Sequence, residues 1–386
     1  PALEAATAAG VRLLVLGMGD PRKVGTFSGI PHHLLHGLDA VGAVHHTANA
    51  LGWADPFASP TLLKRLQRKV DRFGWTERYL WSSFAYRNHS RRARAIAAAN
   101  PGYNACLLIG TMFDPELDVD TYCFLDATVD QVLRGHAWAF SHLPRHVVRH
   151  CRGKQQDIFD RCVGIFTLSQ WCAESVSKDY GVHPGKVVVC GAGPNLAQAP
   201  LPHGPYDTQT ILFVGRDFQR KGGPALLEAF RRVRTQLPQA KLVIVGCNPP
   251  VNEAGVEVVG MISKDDAGGY ERLLRYYSEA SVFVMLSDFE PFGIVVLEAQ
   301  SCAVPCVVPN RFAFPETVVD GLTGRLVGSD VENVAGALVD LLADPSGLAR
   351  MGKAAQAHVA DNYTWSIAAN RILDRVTSDL HQRSMV

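Results

Sequence analysis

The strongest constraint on this chain is a repeated alternation of short, unbroken apolar runs with amphipathic stretches, in two series split by a proline-rich break. Runs that stay apolar instead of alternating with polar residues are strands buried on both faces, which means a parallel sheet covered by helices. In the first series the pattern predicts strands at 11–18, 43–47, 105–109, 122–125, 164–167 and 187–190, with helices through Leu34, Leu35 and Leu38 and over 60–72 and 170–180. The stretch NLAQAPLPHGPYDTQ then brings three prolines and no apolar period, and predicts a linker over 196–209. A second series follows, with strands at 211–214, 241–245, 256–259, 282–285 and 306–308 and helices at 224–234, 265–279, 293–301 and from 331 to 381. The expected fold class is α/β: two doubly wound, Rossmann-like domains facing across a cleft, the first over 1–195, the second over 210–362, with a final segment 363–386. Ligands of such sheets bind outside the carboxyl ends of the strands.

A length of 386 residues suits two cores better than one. No apolar run approaches the ~18 residues of a membrane span. The first ten residues lack a basic start followed by an apolar stretch, so no signal peptide is expected. The nine cysteines form no C-x-x-C pair, which argues against a zinc site or disulfide framework and favours a reducing cytoplasm. The net charge of +1 divides unevenly, with 21 basic against 16 acidic residues up to Asn195 and 17 against 21 beyond. Neither half has the excess of a nucleic-acid binder. The segment 61–94 is the exception, holding ten Lys or Arg and only Asp71 and Glu77.

Two segments of the second half carry chemistry. In DFEPFGIVVLEAQ, Glu290 precedes a helix and Glu298 lies inside it among Ile294, Val295, Val296, Leu297 and Ala299. A carboxylate in such company is costly to bury unless something satisfies it. Eight helical residues rise about 12 Å, comparable to the reach from a sugar to a ribose across a diphosphate. The backbone amides of Phe292, Gly293 and Ile294 fall at the helix N-terminus, which favours a phosphate. The bland alternative is an apolar helix whose Glu298 pairs with an arginine. In VGRDFQRKGG, Arg216 and Lys221 project from a Gly-punctuated turn after a strand, suited to neutralise a diphosphate. Their alternative is two solvated loop charges.

Taken in order, VGRDFQRKGG, LVIVG, VVGMISKDD and FVMLSDFEPFGIVVLEAQSCAVPCVV resemble the donor domain of the retaining glycosyltransferases of family 4, which have the GT-B fold. The order and spacing match across about 130 residues, and the E-x7-E of EPFGIVVLEA is the specific signal. It implies that Arg216 and Lys221 hold the diphosphate of a nucleotide-sugar donor, that Glu290 faces the transferred sugar as a catalytic residue, and that Glu298 accepts hydrogen bonds from the ribose. It implies too that Met261, Ile262 and Ser263 flank the base, and that the Phe292, Gly293 and Ile294 amides cover sugar and phosphate. The chain departs from that family at Phe312 and Ala313, where members often carry paired glycines before Pro-Glu.

In the first half, Gly17 and Gly19 hint at a dinucleotide fingerprint, but Arg22 stands where a third glycine belongs, and a Rossmann cofactor site is rejected. Ser28-Gly29-Ile30-Pro31 resembles the S-G-x-P form of the family's N-terminal loop, where Gly29 lets backbone approach the donor phosphate. The alternative is a plain helix start capped by Ser28. Asp126, at a strand end, looks like the residue that faces acceptor or sugar, or else caps a helix. His136, His142, His146 and His150 are too irregularly spaced to nominate as metal ligands. Within 61–94, apolar residues at helical spacing suit either a solvated helix face or a weak contact with a membrane surface or phosphorylated acceptor. Trp75, Tyr79 and Trp81 suit sugar stacking or core packing. By resemblance, a last helix over 365–380 crosses back onto the first domain.

The reaction expected is transfer of a sugar from a nucleotide-diphosphate-sugar donor to a hydroxyl of an unknown saccharide, small-molecule or lipid-linked acceptor, with retained configuration. No cofactor and no metal is required by this reading, and nucleic acid is not a partner. The rivals are a nucleotide-sugar epimerase on the same fold, a glycosidase, and a non-catalytic nucleotide-sugar-binding subunit. A cytoplasmic or peripheral membrane location is expected.

Overall fold

The computed structural model describes residues 10–51, 79–135, 143–196, 200–263 and 268–385. The expected helix over 60–72, most of the basic segment 61–94, Trp75, His136 and His142 lie outside them. The chain divides into two units: unit 1 runs to Ala192 and resumes at Trp365, and unit 2 is Gly193–Thr364.

Unit 1 holds β1 (Leu13–Gly17), α1 (Ile30–Asp39), β2 (Val44–Asn49), α2 (Ser83–Ala99), β3 (Ala105–Ile109), β4 (Asp120–Leu125), α3 (Val129–Gly135), α4 (Arg145–Arg161), β5 (Gly164–Thr167), α5 (Gln170–Tyr180) and β6 (Val187–Val189). Its six strands are all parallel, in the order β2-β1-β3-β4-β5-β6. Every residue of β1 and β3 is buried, as the unbroken apolar runs require.

Unit 2 holds β7 (Thr210–Val214), α6 (Gly223–Gln236), β8 (Lys241–Val245), β9 (Val256–Gly260), α7 (Gly269–Glu279), β10 (Val282–Val284), α8 (Ile294–Ser301), β11 (Cys306–Pro309), α9 (Phe314–Thr317), β12 (Gly324–Val327), α10 (Val331–Leu342) and α11 (Pro345–Asn362). The sheet order is β12-β11-β10-β7-β8-β9, again all parallel. The period of two splits the core along each strand. Ile211 and Phe213 of β7 join Leu226, Phe230 and Val233 of α6 and Leu338 of α10 on one face. Leu212 joins Leu273, Leu274 and Tyr277 of α7 and Val296 of α8 on the other.

The last helix, α12 (Trp365–Ser384), belongs to unit 1, where its first turn meets α1 at Gly37. The helices expected from 331 to 381 are α10, α11 and α12. The edge strand β12 was not expected, because the four residues of Gly324–Val327 are too few to show a period. The stretch expected as a linker is fastened to unit 2: Gly204 N–H donates to the Ser278 carbonyl at 2.8 Å, and Tyr206 Oη to that of Ala303 at 2.6 Å. All nine cysteines are free, and all but Cys247 are buried.

Candidate active site

In unit 2 the chain leaves β7 in one direction along the sheet for β8 and β9, then returns to place β10 on β7's other side. The strand order therefore reverses between β7 and β10, and ligands of doubly wound sheets bind outside the carboxyl ends of the strands at such a reversal. The loop after β7 carries Arg216, Arg220 and Lys221, and the loop after β10 carries Glu290. The two loops are laced together. Asp288 N–H donates to the Arg220 carbonyl at 3.0 Å, the Arg220 guanidinium donates to the Phe289 carbonyl at 3.1 Å, and Lys221 forms an ion pair with Glu290.

This pair is the chemical centre of the site. Its side chains are only 14% and 13% exposed. Burial above all, then the positive charge of Arg220, push Lys221 down to about 7, with Asp217 opposing. The carboxylate of Glu290 favours the ammonium while the dry surroundings favour the amine. A second anion arriving at Lys221 tips that balance toward the charged form. Arg216 differs: it is exposed and, among the described residues, makes no hydrogen bond or ion pair. The solvated-charge reading thus describes Arg216 in the unliganded chain and fails for Lys221.

Helix α8 starts at Ile294 behind Gly293, whose φ of 85° is a left-handed conformation that glycine adopts without strain. A Cβ there would also come within 2.9 Å of the Phe314 ring. Phe292 and Ile294 are buried, so what their segment offers a ligand is backbone N–H at a helix N-terminus.

Four residues into α8, Glu298 is 6% exposed. Tyr277 Oη donates to its carboxylate at 3.1 Å. Burial first and the Glu298 charge second push the Tyr277 phenol well up, so it stays a donor. Met261, Ile262 and Ser263 follow β9 at the same edge of the sheet, Met261 largely exposed and Ile262 packed against the core.

On unit 1, Gly29 is the left-handed cap of α1, with φ 85°, and Phe27 and Ser28 before it are left-handed too. The capping residue is Gly29, which corrects the expectation for Ser28. Asp126 follows the carboxyl end of β4. It is half-buried, and desolvation pushes its carboxyl up, against the pull of its own N–H and that of Ala127. The helix-cap alternative for Asp126 does not hold, because Thr128 Oγ1 accepts from Gln131 N–H at 3.1 Å and fills that role. Tyr79 packs edge-on to Phe84 and His89.

Two residues of the unit 2 site escaped the sequence reading. Arg220 lay in plain view beside Lys221, and the adjacency of two cations was its only signal. Tyr277 had none, since nothing in LLRYYSE separates one tyrosine from the other. Among the described residues no three His, Cys, Asp or Glu side chains converge as a metal site, and no helix is long and apolar enough to cross a membrane.

Unit 2 is a doubly wound domain with the Lys221–Glu290 pair at its strand reversal, and the comparisons with known proteins agree on the fold. The profile of the family described as "Glycosyl transferases group 1" matches residues 203–358, so most of unit 2 is similar to that family. A curated relative, the GDP-mannose-dependent alpha-(1-6)-phosphatidylinositol monomannoside mannosyltransferase of Mycolicibacterium smegmatis, is 33% identical over 183 residues, covering 44% of this chain and 47% of that protein. The chain thus spans about half the length of the curated relatives it matches. Among solved structures, sucrose-phosphate synthase from Thermosynechococcus elongatus superposes with a TM-score of 0.71 at 20% identity, covering 97% of this chain and all of that one. An Anabaena protein solved with UDP and glucose gives 0.64 at 14% identity, over 95% of this chain and all of that one. These likenesses establish the two-sheet fold.

Proposed function

We propose that the chain transfers a sugar from a nucleoside-diphosphate donor to an acceptor hydroxyl with retention of anomeric configuration. The observation that carries this reading is the Lys221–Glu290 pair at the strand reversal of a domain similar to the group 1 glycosyl transferases. The unliganded protein holds the two groups against each other. A diphosphate competes for Lys221, and its second cation is Arg216, which has nothing to give up. Glu290, released from its partner, turns to the sugar hydroxyls. Lys221, Arg216 and the α8 amides then stabilise negative charge as the sugar–phosphate bond breaks, which is where preorganised donors are worth most. No residue here acts as a covalent nucleophile; the acceptor hydroxyl attacks from the face the phosphate is leaving, and the departing phosphate takes its proton. In this reading Glu298 accepts from the ribose, while Met261, Ile262 and Ser263 flank the base. Asp126 and Gly29 have acceptor-side and phosphate-side roles. The relative named for GDP-mannose and the neighbour solved with UDP support a nucleoside-diphosphate donor.

The test is incubation with a panel of nucleotide sugars and with saccharide, polyol and lipid-linked acceptors, read by mass and by the anomeric NMR signal of the product. A new α-linked product from an α-linked donor is expected. An inverted product sinks retention. Altered sugar released without acceptor sinks the transferase assignment, and full transfer activity in Glu290→Ala sinks the role given to Glu290.

A further inference from the structure

In the sheet of unit 2, β10 lies between β7 and β11, so the loop bearing Glu290 has a neighbour on each side. The β7 side supplies Arg220 and Lys221. The other side is the turn from β11 into α9, where the chain departs from the family it resembles. Four contacts run from this turn to the Glu290 loop. The Arg311 guanidinium donates to the Ser287 carbonyl at 2.7 Å and stands 3.7 Å from the Asp288 carboxylate. The Phe312 ring packs edge-on to Phe289, centroids 5.5 Å apart, with the Arg311 cation 5.1 Å above its own face. Phe314, fully buried, backs Gly293. Contacts at Ser287, Asp288, Phe289 and Gly293 bracket Glu290 on both sides.

The backbone adds an independent observation. Phe312 has φ 58°, in the left-handed region where a bulky side chain is disfavoured. A non-glycine residue persists there when its surroundings over-determine it. Here the surroundings are a ring on one side and a guanidinium on the other. The turn is also anchored from behind: Tyr363 Oη donates to the Glu316 carbonyl, and the Tyr363 ring meets Phe292 at 6.3 Å.

We propose that residues 311–314 are a clasp on the 287–293 loop, and that Arg311 and Phe312 are positioning residues that aim Glu290. They act through Ser287, Asp288 and Phe289 and do not touch substrate. The consequence for Glu290 rests on the transferase reading above; the clasp itself does not.

The experiment therefore has two arms. Phe312→Gly deletes the ring while leaving a residue that accepts the left-handed backbone. In the unliganded chain, amide hydrogen exchange at Asp288, whose N–H is held by the Arg220 carbonyl, is expected to quicken about tenfold, while Phe283 N–H, held by the Pro305 carbonyl within the sheet, is unchanged. In the transfer assay, kcat falls about tenfold with the donor KM within about twofold, because the diphosphate cations are untouched. Phe312→Tyr keeps the ring and restores both. Unchanged exchange at Asp288, or equal acceleration at Phe283, overturns the clasp. A kcat that stays at the parent value while Asp288 loosens, or a loss that Phe312→Tyr does not rescue, overturns its role toward Glu290. If the parent itself transfers no sugar, the functional reading fails and the exchange arm still decides the clasp. Should Phe312→Gly not fold, Phe289→Leu removes the same ring pair and is read the same way.

Discussion

The two units are built alike, each a sheet of six parallel strands among helices, and a polar cluster at the amino edge of unit 1 contrasts with one at the carboxyl edge of unit 2. In unit 1 a group of polar contacts at the amino ends of the strands holds α12. Asp379 accepts from Tyr122 Oη at 3.0 Å and from Arg375 Nε at 2.8 Å; Arg375 also donates to the carbonyls of Val163 and Gly185, just ahead of β5 and β6. Arg383 pairs with Asp120, the first residue of β4, at 2.8 Å. In unit 2 the lacing lies at the carboxyl ends, across the strand reversal. In the proposed reading the contacts that hold α12 serve stability, while a ligand competes for the Lys221–Glu290 pair.

This contrast breaks first at its strongest point. Lys221→Ala is expected to lower kcat/KM about 10²- to 10³-fold, the loss seen when one preorganised charge-stabilising donor is removed, and to lower the unfolding midpoint too, because Glu290 loses its buried partner. Steady-state assay beside a melting curve reads both, and undiminished kcat/KM makes the pair ornamental. The converse change is Asp379→Ala, which strands Tyr122 and deprives Arg375 of its charge partner. It is expected to cost about 2 kcal/mol in denaturant unfolding and leave nucleoside-diphosphate affinity in place. A large affinity loss there means that the amino-edge contacts of unit 1 govern binding after all.

A smaller effect sharpens the role of Glu298. Tyr277→Phe takes away a donor from a buried carboxylate and is expected to cost about 1–2 kcal/mol of stability. If Glu298 serves a ribose, nucleoside diphosphate recovers part of that cost, seen as a larger thermal shift on binding than in the parent. An equal shift argues that Glu298 is structural only.

The smallest expected effect is one of pH. Lys221 is near 7 in the free protein, and a bound diphosphate raises it, so the complex holds more protons than the free chain above neutrality. Affinity must then fall as pH rises, about fivefold between pH 7 and 8, and level off below 7 where the lysine is already charged. Calorimetric titration across that range checks it, with Lys221→Arg expected to flatten the profile. A flat parent profile removes Lys221 as the titrating contact.

Much of this was legible in the residues. Strands at 105–109, 164–167 and 241–245 and the helix at 170–180 fall where the apolar pattern puts them. Glu290, Glu298, Arg216 and Lys221 stand out because charge beside or inside apolar runs demands a reason. Burial is written into sequence as a period, since a residue's side of a strand or helix follows from its position alone. Partnership is not. That Lys221 meets Glu290, 69 residues away, depends on β10 lying beside β7 instead of after β9. That Tyr277 meets Glu298 depends on α7 and α8 sharing one face of the sheet. The left-handed Phe312 reads in sequence as a missing glycine, and only the rings around it show why a phenylalanine is held there. The sequence by itself determined which residues face water and which chemical types stand near strand ends. The tertiary structure decided which of them touch, because strand order is set by how whole layers pack and no local run of residues carries it.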